Sequence, residues 1–424
     1  MTASVIGARI KALREEKGLS QDDLARMFGF KDRQTVSAIE TGERRVSAEE
    51  LLTAVAKLGA SLDYFTDPFL LAGDGKFSWR RHPRVGLETV QAFERVAGRW
   101  IAADRTLAGQ VGKPAPFLRQ SLKLTSKSSF EEAMAAGERF STDFKLGPVP
   151  AEKLPEVMER KLGILVLMVD ATDGVSGAAC RLPDLDAVLI NRHEVAGRRN
   201  FDLAHELFHI LTWDTMPPEY LEEATETSEV RVERLANSFA SALLMPEANL
   251  ETPPWVTGLD YEWEQCVTGT VPLPAFIKGR AKGEYEARPD GTIWRRVRVR
   301  RYPSEGGGGT FRHSEKAAII AWLNATAEKF QITATALKWR LVALKRLDAA
   351  RAKEISDEAL RYNGRSAPTS DAPPLFSKSF MEVLGQAINE GRISARRAAN
   401  LLDLKIEDLA ELFTVHAVEA PLDL

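Results

Sequence analysis

The chain has 424 residues, which is long enough for two or three domains with cores of their own. Its 57 Lys and Arg residues nearly balance 60 Asp and Glu residues, so overall charge favours neither nucleic acid nor a membrane as a partner, and any such partner must meet a local patch. Two isolated cysteines and the lack of a signal-peptide or membrane-span pattern lead us to expect a cytoplasmic protein without a membrane partner.

Residues 1–66 are predicted to form a compact bundle of helices. Apolar residues recur at helical spacing from Ile6 to Leu13, and Gly18 then ends the first helix. Three further helices follow, each preceded by a side chain that can cap it: Ser20, Asp32 and Ser47. Short helices joined by a tight, glycine-containing turn are typical of a helix-turn-helix domain.

The stretches LSQDDLA (residues 19–25) and TVSAIETGERR (residues 35–45) resemble the XRE (Cro/C1-type) helix-turn-helix domain. The resemblance implies operator DNA as a partner, read by the third helix. The side chains expected at base edges are Gln34, Thr35 and Ser37, and those expected at phosphates are Gln21, Arg44 and Arg45.

Charge alone gives this bundle little affinity for DNA. Ten basic and ten acidic side chains cancel within residues 1–66. Since phosphate neutralisation supplies most non-specific affinity, binding must depend on the cluster of Arg33, Arg44 and Arg45 and on a homodimer. The alternative is a helical bundle used for protein contact.

Residues 67–149 are predicted to be a helical connector. Apolar spacing indicates one long helix over 87–107 and another over 130–139. We expect no chemistry in this segment.

Residues 150–250 are predicted to form a small sheet against helices. A helix over 151–162 precedes apolar runs of strand length at 164–169, 177–182 and 187–191. The edge of such a sheet can accept an extended peptide by β-addition. Two side chains, His193 and Tyr220, are possible transition-state donors, although His193 also fits an ordinary surface loop.

The pattern H-E-x-x-H occurs at residues 205–209 within an amphipathic helical stretch. Residues four apart on a helix lie one turn above each other, so His205 and His209 present two imidazoles to one point, with Glu206 beside them. A third ligand and a water would complete a tetrahedral Zn²⁺ site, and Glu206 would take the proton of that water. Histidines satisfied within an apolar core are the alternative.

A second helical stretch, residues 232–246, supplies the remaining parts of this site. Glu233 is the predicted third ligand. Asn237 follows one helical turn later and can orient a ligand histidine through its second ring nitrogen.

The pair HELFH and ERLANSFASALLMP resembles the ImmA/IrrE family of gluzincin-like metallo-endopeptidases over residues 150–250. The resemblance implies a zincin-like fold in which His205, His209 and Glu233 hold Zn²⁺ and Glu206 is the general base. Family members usually have a small residue where this chain has Phe208, a departure that concerns substrate access and not the metal.

The remainder divides by composition into three segments: a Pro- and Gly-rich insertion at 251–313, a helical scaffold at 314–362, and a C-terminal helical interaction element at 375–424. The insertion contains a predicted hairpin turning at Pro289-Asp290-Gly291, and residues 279–301 carry eight basic against three acidic side chains. Its basic strand is either a solvated edge protected by charge or a surface that binds a partner.

Together these features predict an α+β, mostly α protein. The expected function is a transcriptional regulator with zinc-dependent endopeptidase activity that cleaves a repressor or antitoxin to control stress-response or mobile-element genes. The alternative is a DNA-binding transcription factor whose zincin-like domain senses metal or a ligand and cleaves nothing.

Overall fold

A computed structural model describes residues 3–71, 75–81, 84–113, 119–218, 226–255, 260–268, 285–287, 292–299, 313–364 and 372–422. Contacts divide the chain into two compact units. The first comprises Met1–Leu244, Phe330–Ile332 and Ala367–Leu424, and the second comprises Met245–Lys329 and Thr333–Ser366. The fold is α+β and mostly α, as predicted.

The N-terminal bundle has the predicted four helices and a short fifth. They are α1 (Ala3–Glu16), α2 (Gln21–Phe28), α3 (Arg33–Glu40), α4 (Ala48–Leu58) and α5 (Leu62–Thr66). Ser20 and Ser47 form capping boxes, and Gly29 ends α2 with a φ of 73°, which a residue with a Cβ rarely adopts. Leu24, Val36 and Phe65 are among the buried side chains of its core.

A buried arginine anchors the chain where it leaves this bundle. Arg9 is 2% exposed and donates hydrogen bonds to the carbonyls of Tyr64, Asp67 and Leu70. Phe69, between the last two of these, lies in the large hydrophobic core that surrounds the sheet of the first unit. The bundle is therefore packed directly against the rest of its unit.

The connector contributes a strand that the sequence did not predict, β1 (Lys76–Arg81), as well as the two predicted helices, α6 (Leu87–Gln110) and α7 (Phe130–Asp143). The next elements are α8 (Pro150–Arg160), β2 (Ile164–Val169), β3 (Val175–Arg181), β4 (Asp186–Asn191), α9 (Ala196–Thr212) and α10 (Glu226–Leu244). The three predicted strands of the core are thus confirmed to within two residues.

The strand order of the sheet is β1-β3-β4-β2. Strand β2 runs parallel to β4, while β3 is antiparallel to both of its neighbours. Helix α9 packs on β3 and β4, and α10 packs on α9 and α7. The two helices that carry the predicted metal ligands therefore lie side by side, with α9 against the sheet.

The second unit contains β5 (Asp260–Thr268), β6 (Tyr285–Ala287), β7 (Thr292–Val299), α11 (His313–Lys329), α12 (Ala334–Ala343), α13 (Ala349–Glu354) and α14 (Asp357–Leu360). Strand β7 is the predicted basic strand, and it lies between β5 and β6, antiparallel to both. Of the two alternatives for this strand, a solvated edge is excluded, because each side of β7 has a paired neighbour. The predicted turn at 289–291 lies outside the described residues.

The last elements return to the first unit: α15 (Lys378–Asn389), α16 (Ala395–Leu402) and α17 (Ile406–Val415). Phe380, Leu402 and Phe413 lie in one buried cluster with Trp100 of α6 and Leu167 of β2. The apolar faces of this C-terminal element thus serve the core of its own unit. No helix in the described part of the chain is both long and apolar enough to cross a bilayer.

Two carboxyl groups in this unit lead to a pH-dependent prediction. Burial raises the pKa of Asp104 on α6 and of Glu159 on α8 to about 7 each, and the charge of Glu159 adds to the effect on Asp104. Carboxyl groups of an unfolded chain titrate near ~4. The folded state therefore retains protons that the unfolded state releases, and the stability this contributes is lost as pH rises from about 4 through about 7.

We expect Asp104→Asn to raise the melting temperature at pH 8 by several degrees and to change it less at pH 5, because the amide needs no proton to remain buried. Calorimetry at the two pH values measures the difference. Glu156→Gln, which removes an exposed carboxylate from α8, is the matched control. An equal shift at the two pH values would contradict the assignment.

Candidate metal centre

Helices α9 and α10 bring the three predicted ligands together. The Nε2 atoms of His205 and His209 lie 3.1 Å apart. The Glu233 carboxylate faces both rings, with Oε2 at 3.1 Å from His205 Nε2 and Oε1 at 3.2 Å from His209 Nε2. In the described part of the chain, this is the one group of His, Cys, Asp and Glu ligand atoms close enough to share a cation.

The donor set fits zinc in number, chemistry and spacing. Two imidazole nitrogens and a carboxylate are typical of catalytic zinc, which keeps a fourth position for water or substrate. Ligand atoms that each lie about 2.0–2.2 Å from a tetrahedral zinc are about 3.3–3.6 Å apart. The 3.1–3.2 Å separations seen here are close to that spacing.

The protonation of His205 also suits a metal ligand. Its Nδ1 faces Asn237 Oδ1 at 3.0 Å, so Nδ1–H donates and the Nε2 lone pair points toward His209 and Glu233. Burial lowers the pKa of His205 to about 4, and the charge of Arg80 acts in the same direction. The ring is therefore neutral at pH 7, the form that binds metal.

Glu233 affects the protonation of the second histidine, His209. Burial alone would lower the pKa of His209, but its hydrogen bond to Glu233 and the charge of that carboxylate raise the pKa above its ordinary value. The two histidines in turn hold the pKa of Glu233 well below its usual range, against the effect of burial. Glu233 is consequently ionised, as a ligand must be.

Glu206 lies beside this group and has no hydrogen bond of its own. It is 1% exposed, and neither carboxylate oxygen has a partner among the described residues. Burial raises its pKa to about 8, although the charges of His209 and Arg80 oppose the rise. A bound dication would lower that pKa again. An unpartnered carboxylate next to three ligands suits a general base that waits for water.

Phe208 lies beside the ligand group, with its ring centroid 5.9 Å from that of His209. Its side chain is fully buried and packs on Phe239 of α10, with ring centroids 5.5 Å apart. The large residue in the motif therefore fills the core between α9 and α10 and gives no evidence of blocked access.

The structure does not bring His193, one of the two possible transition-state donors, to the ligand group. His193 is in an exposed turn after β4, where its Nε2 lies 2.6 Å from Asp170 Oδ1. This geometry favours the surface-loop interpretation of His193. Tyr220 lies outside the described residues.

Sequence reasoning gave no role to two charged residues near the centre. Asp202 of α9 is 1% exposed, and Arg80 of β1 lies 3.3 Å from it. The sequence places Asp202 on the polar face of the helix, because it precedes Glu206 by four residues. Arg80 had no local signal, since it belongs to a strand that was not predicted.

The N-terminal bundle presents only some of its predicted DNA contacts to solvent. Arg33, Gln34 and Arg45 are exposed, and Thr35 and Ser37 are half-buried. Two other candidates are engaged within the chain. Gln21 Nε2 donates to Glu40 Oε2 at 2.8 Å, and Arg44 makes a two-pronged ion pair with Glu50.

Comparison with known families matches two segments of the chain. A family model described as helix-turn-helix matches residues 10–65, and one described as IrrE N-terminal-like domain matches residues 159–254. These matches confirm the two resemblances seen in the sequence. Neither a search of curated proteins nor a search of solved structures gave a match.

Proposed function

Because the chain joins a helix-turn-helix domain to an IrrE-like metallopeptidase domain, we propose that it is a cytoplasmic transcriptional regulator with zinc-dependent endopeptidase activity. The observation that carries the proposal is the convergence of His205, His209 and Glu233 within 4.8 Å of one another, with Glu206 unpartnered beside them.

The roles of the side chains follow from their positions. His205, His209 and Glu233 would hold Zn²⁺, and Asn237 would fix the His205 ring in the correct tautomer. When bound, zinc lowers the pKa of water and polarises a carbonyl. Glu206 would take a proton from the attacking water and later deliver it to the departing amide nitrogen.

The proposed substrate is a protein, by resemblance a transcriptional repressor or an antitoxin. Its cleavage would release stress-response or mobile-element genes. An extended segment of the substrate could add to the outer edge of β1, which pairs only with β3 among the described strands.

The proposed role of the N-terminal bundle is to bind an operator as a homodimer. Gln34, Thr35 and Ser37 would lie at base edges, while Arg33 and Arg45, which are exposed, would meet phosphates. Gln21 and Arg44 could join them only by leaving Glu40 and Glu50, so we give them a smaller share of the binding.

The direct test is to incubate the full-length protein with the products of neighbouring genes and identify fragments by mass spectrometry. Zinc-loaded protein should cleave one neighbour at a defined bond, and a chelator should stop the cleavage. Arg33→Ala, at an exposed position in the bundle, should leave cleavage of the isolated substrate unchanged. Cleavage that persists in the chelated protein would contradict a zinc mechanism.

A second candidate is a transcription factor that senses metal and cleaves nothing. It is favoured by the burial of His205, Glu206 and His209, all at most 4% exposed. Metal would then change operator affinity in a mobility-shift assay without producing fragments. Fragments whose formation requires Glu206 would exclude it.

A further inference from the structure

We propose that Arg80 is a further catalytic residue of this centre, whose guanidinium binds the anionic oxygen of the tetrahedral intermediate. The proposal rests on the peptidase function given above. When the oxygen of water bonds to the carbonyl carbon, the C=O π bond breaks and its electron pair goes to the carbonyl oxygen. That oxygen becomes the anion that Arg80 would hold until the C–N bond breaks and Glu206 returns the proton to nitrogen.

Strand pairing places Arg80 beside β3, the strand that passes close to the general base Glu206. Arg80 of β1 pairs in register with Gly177 of β3. A Cβ atom added to Gly177 would lie 3.7 Å from Glu206 Cγ, so β3 passes Glu206 closely at this point. The pairing of β1 shifts register between Arg80 and Arg81, an irregularity of the kind that redirects a side chain.

The side chain of Arg80 then reaches toward α9. Its Nη1 lies 3.3 Å from Asp202 Oδ1, one helical turn before Glu206, and its guanidinium lies 6.0 Å from the ring centroid of Phe201. The residue contacts the same helix that carries both histidines. It could therefore reach a substrate atom held against that helix.

The guanidinium has hydrogen-bonding capacity left over. Among the described residues, buried Nη1 has no hydrogen-bond partner, and neither has either oxygen of Glu206. The oxygens of Asp202 also lack a hydrogen bond, and their contacts with Arg80 and Arg198, at 3.3 and 3.6 Å, are ion pairs. Buried polar atoms without partners are rare in folded proteins and commonly mark a place where water or a ligand binds. Here they come from three side chains around one end of the metal centre.

The competing explanation is that Arg80 only neutralises Asp202. A second arginine already serves that carboxylate, since Arg198 lies 3.6 Å from Asp202 Oδ2. Arg198 is half-exposed, and it also donates to Ser176 Oγ and pairs with Glu194. Arg198 is therefore the matched control, because it pairs with the other oxygen of the same acid while Ser176 and Glu194 hold it.

The test uses zinc-loaded, full-length protein and inorganic phosphate, a tetrahedral anion. Calorimetric titration should give a phosphate dissociation constant about tenfold or more above that of the wild type in Arg80→Met, and about twofold or less above it in Arg198→Met. The increase should be intermediate in Arg80→Lys, which keeps the positive charge but loses the planar guanidinium that can donate two parallel hydrogen bonds. On the neighbour protein cleaved by the wild type, kcat should fall about 10²- to 10³-fold in Arg80→Met, with a smaller change in KM.

The double variant Arg80→Met/Asp202→Asn separates catalysis from folding. If Arg80→Met lowers the melting temperature, removing the charge of Asp202 should restore stability while phosphate affinity and kcat remain low. Recovery of phosphate affinity and kcat along with stability would overturn the proposal, as would a phosphate affinity that Arg80→Met leaves unchanged or that the wild type lacks. Phosphate binding through Arg80 in a protein that cleaves no neighbour would refute the peptidase function alone.

Discussion

Replacing Glu206 with glutamine is expected to lower kcat for peptide hydrolysis by about 10²- to 10⁴-fold while zinc stays bound. The amide has nearly the shape of the carboxylate but cannot accept a proton from water. The three ligands are untouched, since Glu206 is not among the atoms that converge on the shared point. Elemental analysis of zinc and a fragment assay by mass spectrometry measure the two effects separately.

His205→Ala is the companion variant, because it removes a ligand. We expect it to lose both zinc and cleavage, and Asn237 to lose its ring partner. Cleavage that survived in Glu206→Gln would remove Glu206 from the role of general base. Stoichiometric zinc in His205→Ala would show that the metal binds elsewhere.

Placing a methyl group at Gly137 is expected to destabilise the protein by at least about 1–3 kcal/mol and to weaken zinc binding. Gly137 of α7 faces α10 so closely that a Cβ atom would lie 2.4 Å from Phe239 O and 2.9 Å from Leu243 N. Because these contacts are with backbone, α10 itself must move, and it carries Glu233. Thermal unfolding and competition with a zinc chelator measure the two consequences of Gly137→Ala.

Gly109→Ala is the matched control for this change. Gly109 lies in α6, and an added Cβ atom would have nothing within 4 Å. Alanine favours a helix over glycine by up to about 1 kcal/mol, so this variant should be as stable as the wild type or more stable. A Gly137→Ala protein with unchanged melting temperature and zinc affinity would mean that α7 and α10 can separate freely.

The convergence of the three proposed metal ligands could be predicted because their spacing is local. His205 and His209 are one turn apart on a single amphipathic helix, and Glu233 and Asn237 have the same spacing on the next. A four-residue repeat on a helix fixes direction as well as distance, so few tertiary contacts remain to be guessed. The capped helices of the N-terminal bundle were predicted for a similar reason, since each cap is a signal within three residues of its helix.

Arg80 could not be predicted in this way because its place depends on pairing between distant strands. The segment between Arg80 and Gly177 contains α6, α7, α8 and β2. No local pattern reveals which sheet a short strand will join. The central position of β7 was missed for the same reason. Its charges were compatible with an edge strand, but the sequence does not reveal that β5 and β6 pair with it on both sides.

The partners of Gln21 and Arg44 show a different limit of prediction from sequence. Both residues have the chemistry to bind phosphate, and both are used within the bundle. Glu40, which accepts from Gln21, also pairs with buried Arg14, while Glu50 both caps α4 and pairs with Arg44. A sequence lists available donors, but only the fold reveals which acceptors compete for them.

The position of β1 in the sequence, outside the segment that matches the IrrE-like family, limits how the protein can be truncated. A truncation that keeps only the segment matching the IrrE-like family, residues 159–254, would discard the strand that covers β3 and the three C-terminal helices that close the hydrophobic cluster. Such a recombinant fragment would expose a row of unpaired backbone amides and a hydrophobic surface, and both features promote aggregation. Insolubility of that piece would reflect where the cuts were made and would say nothing about whether the intact chain is a peptidase.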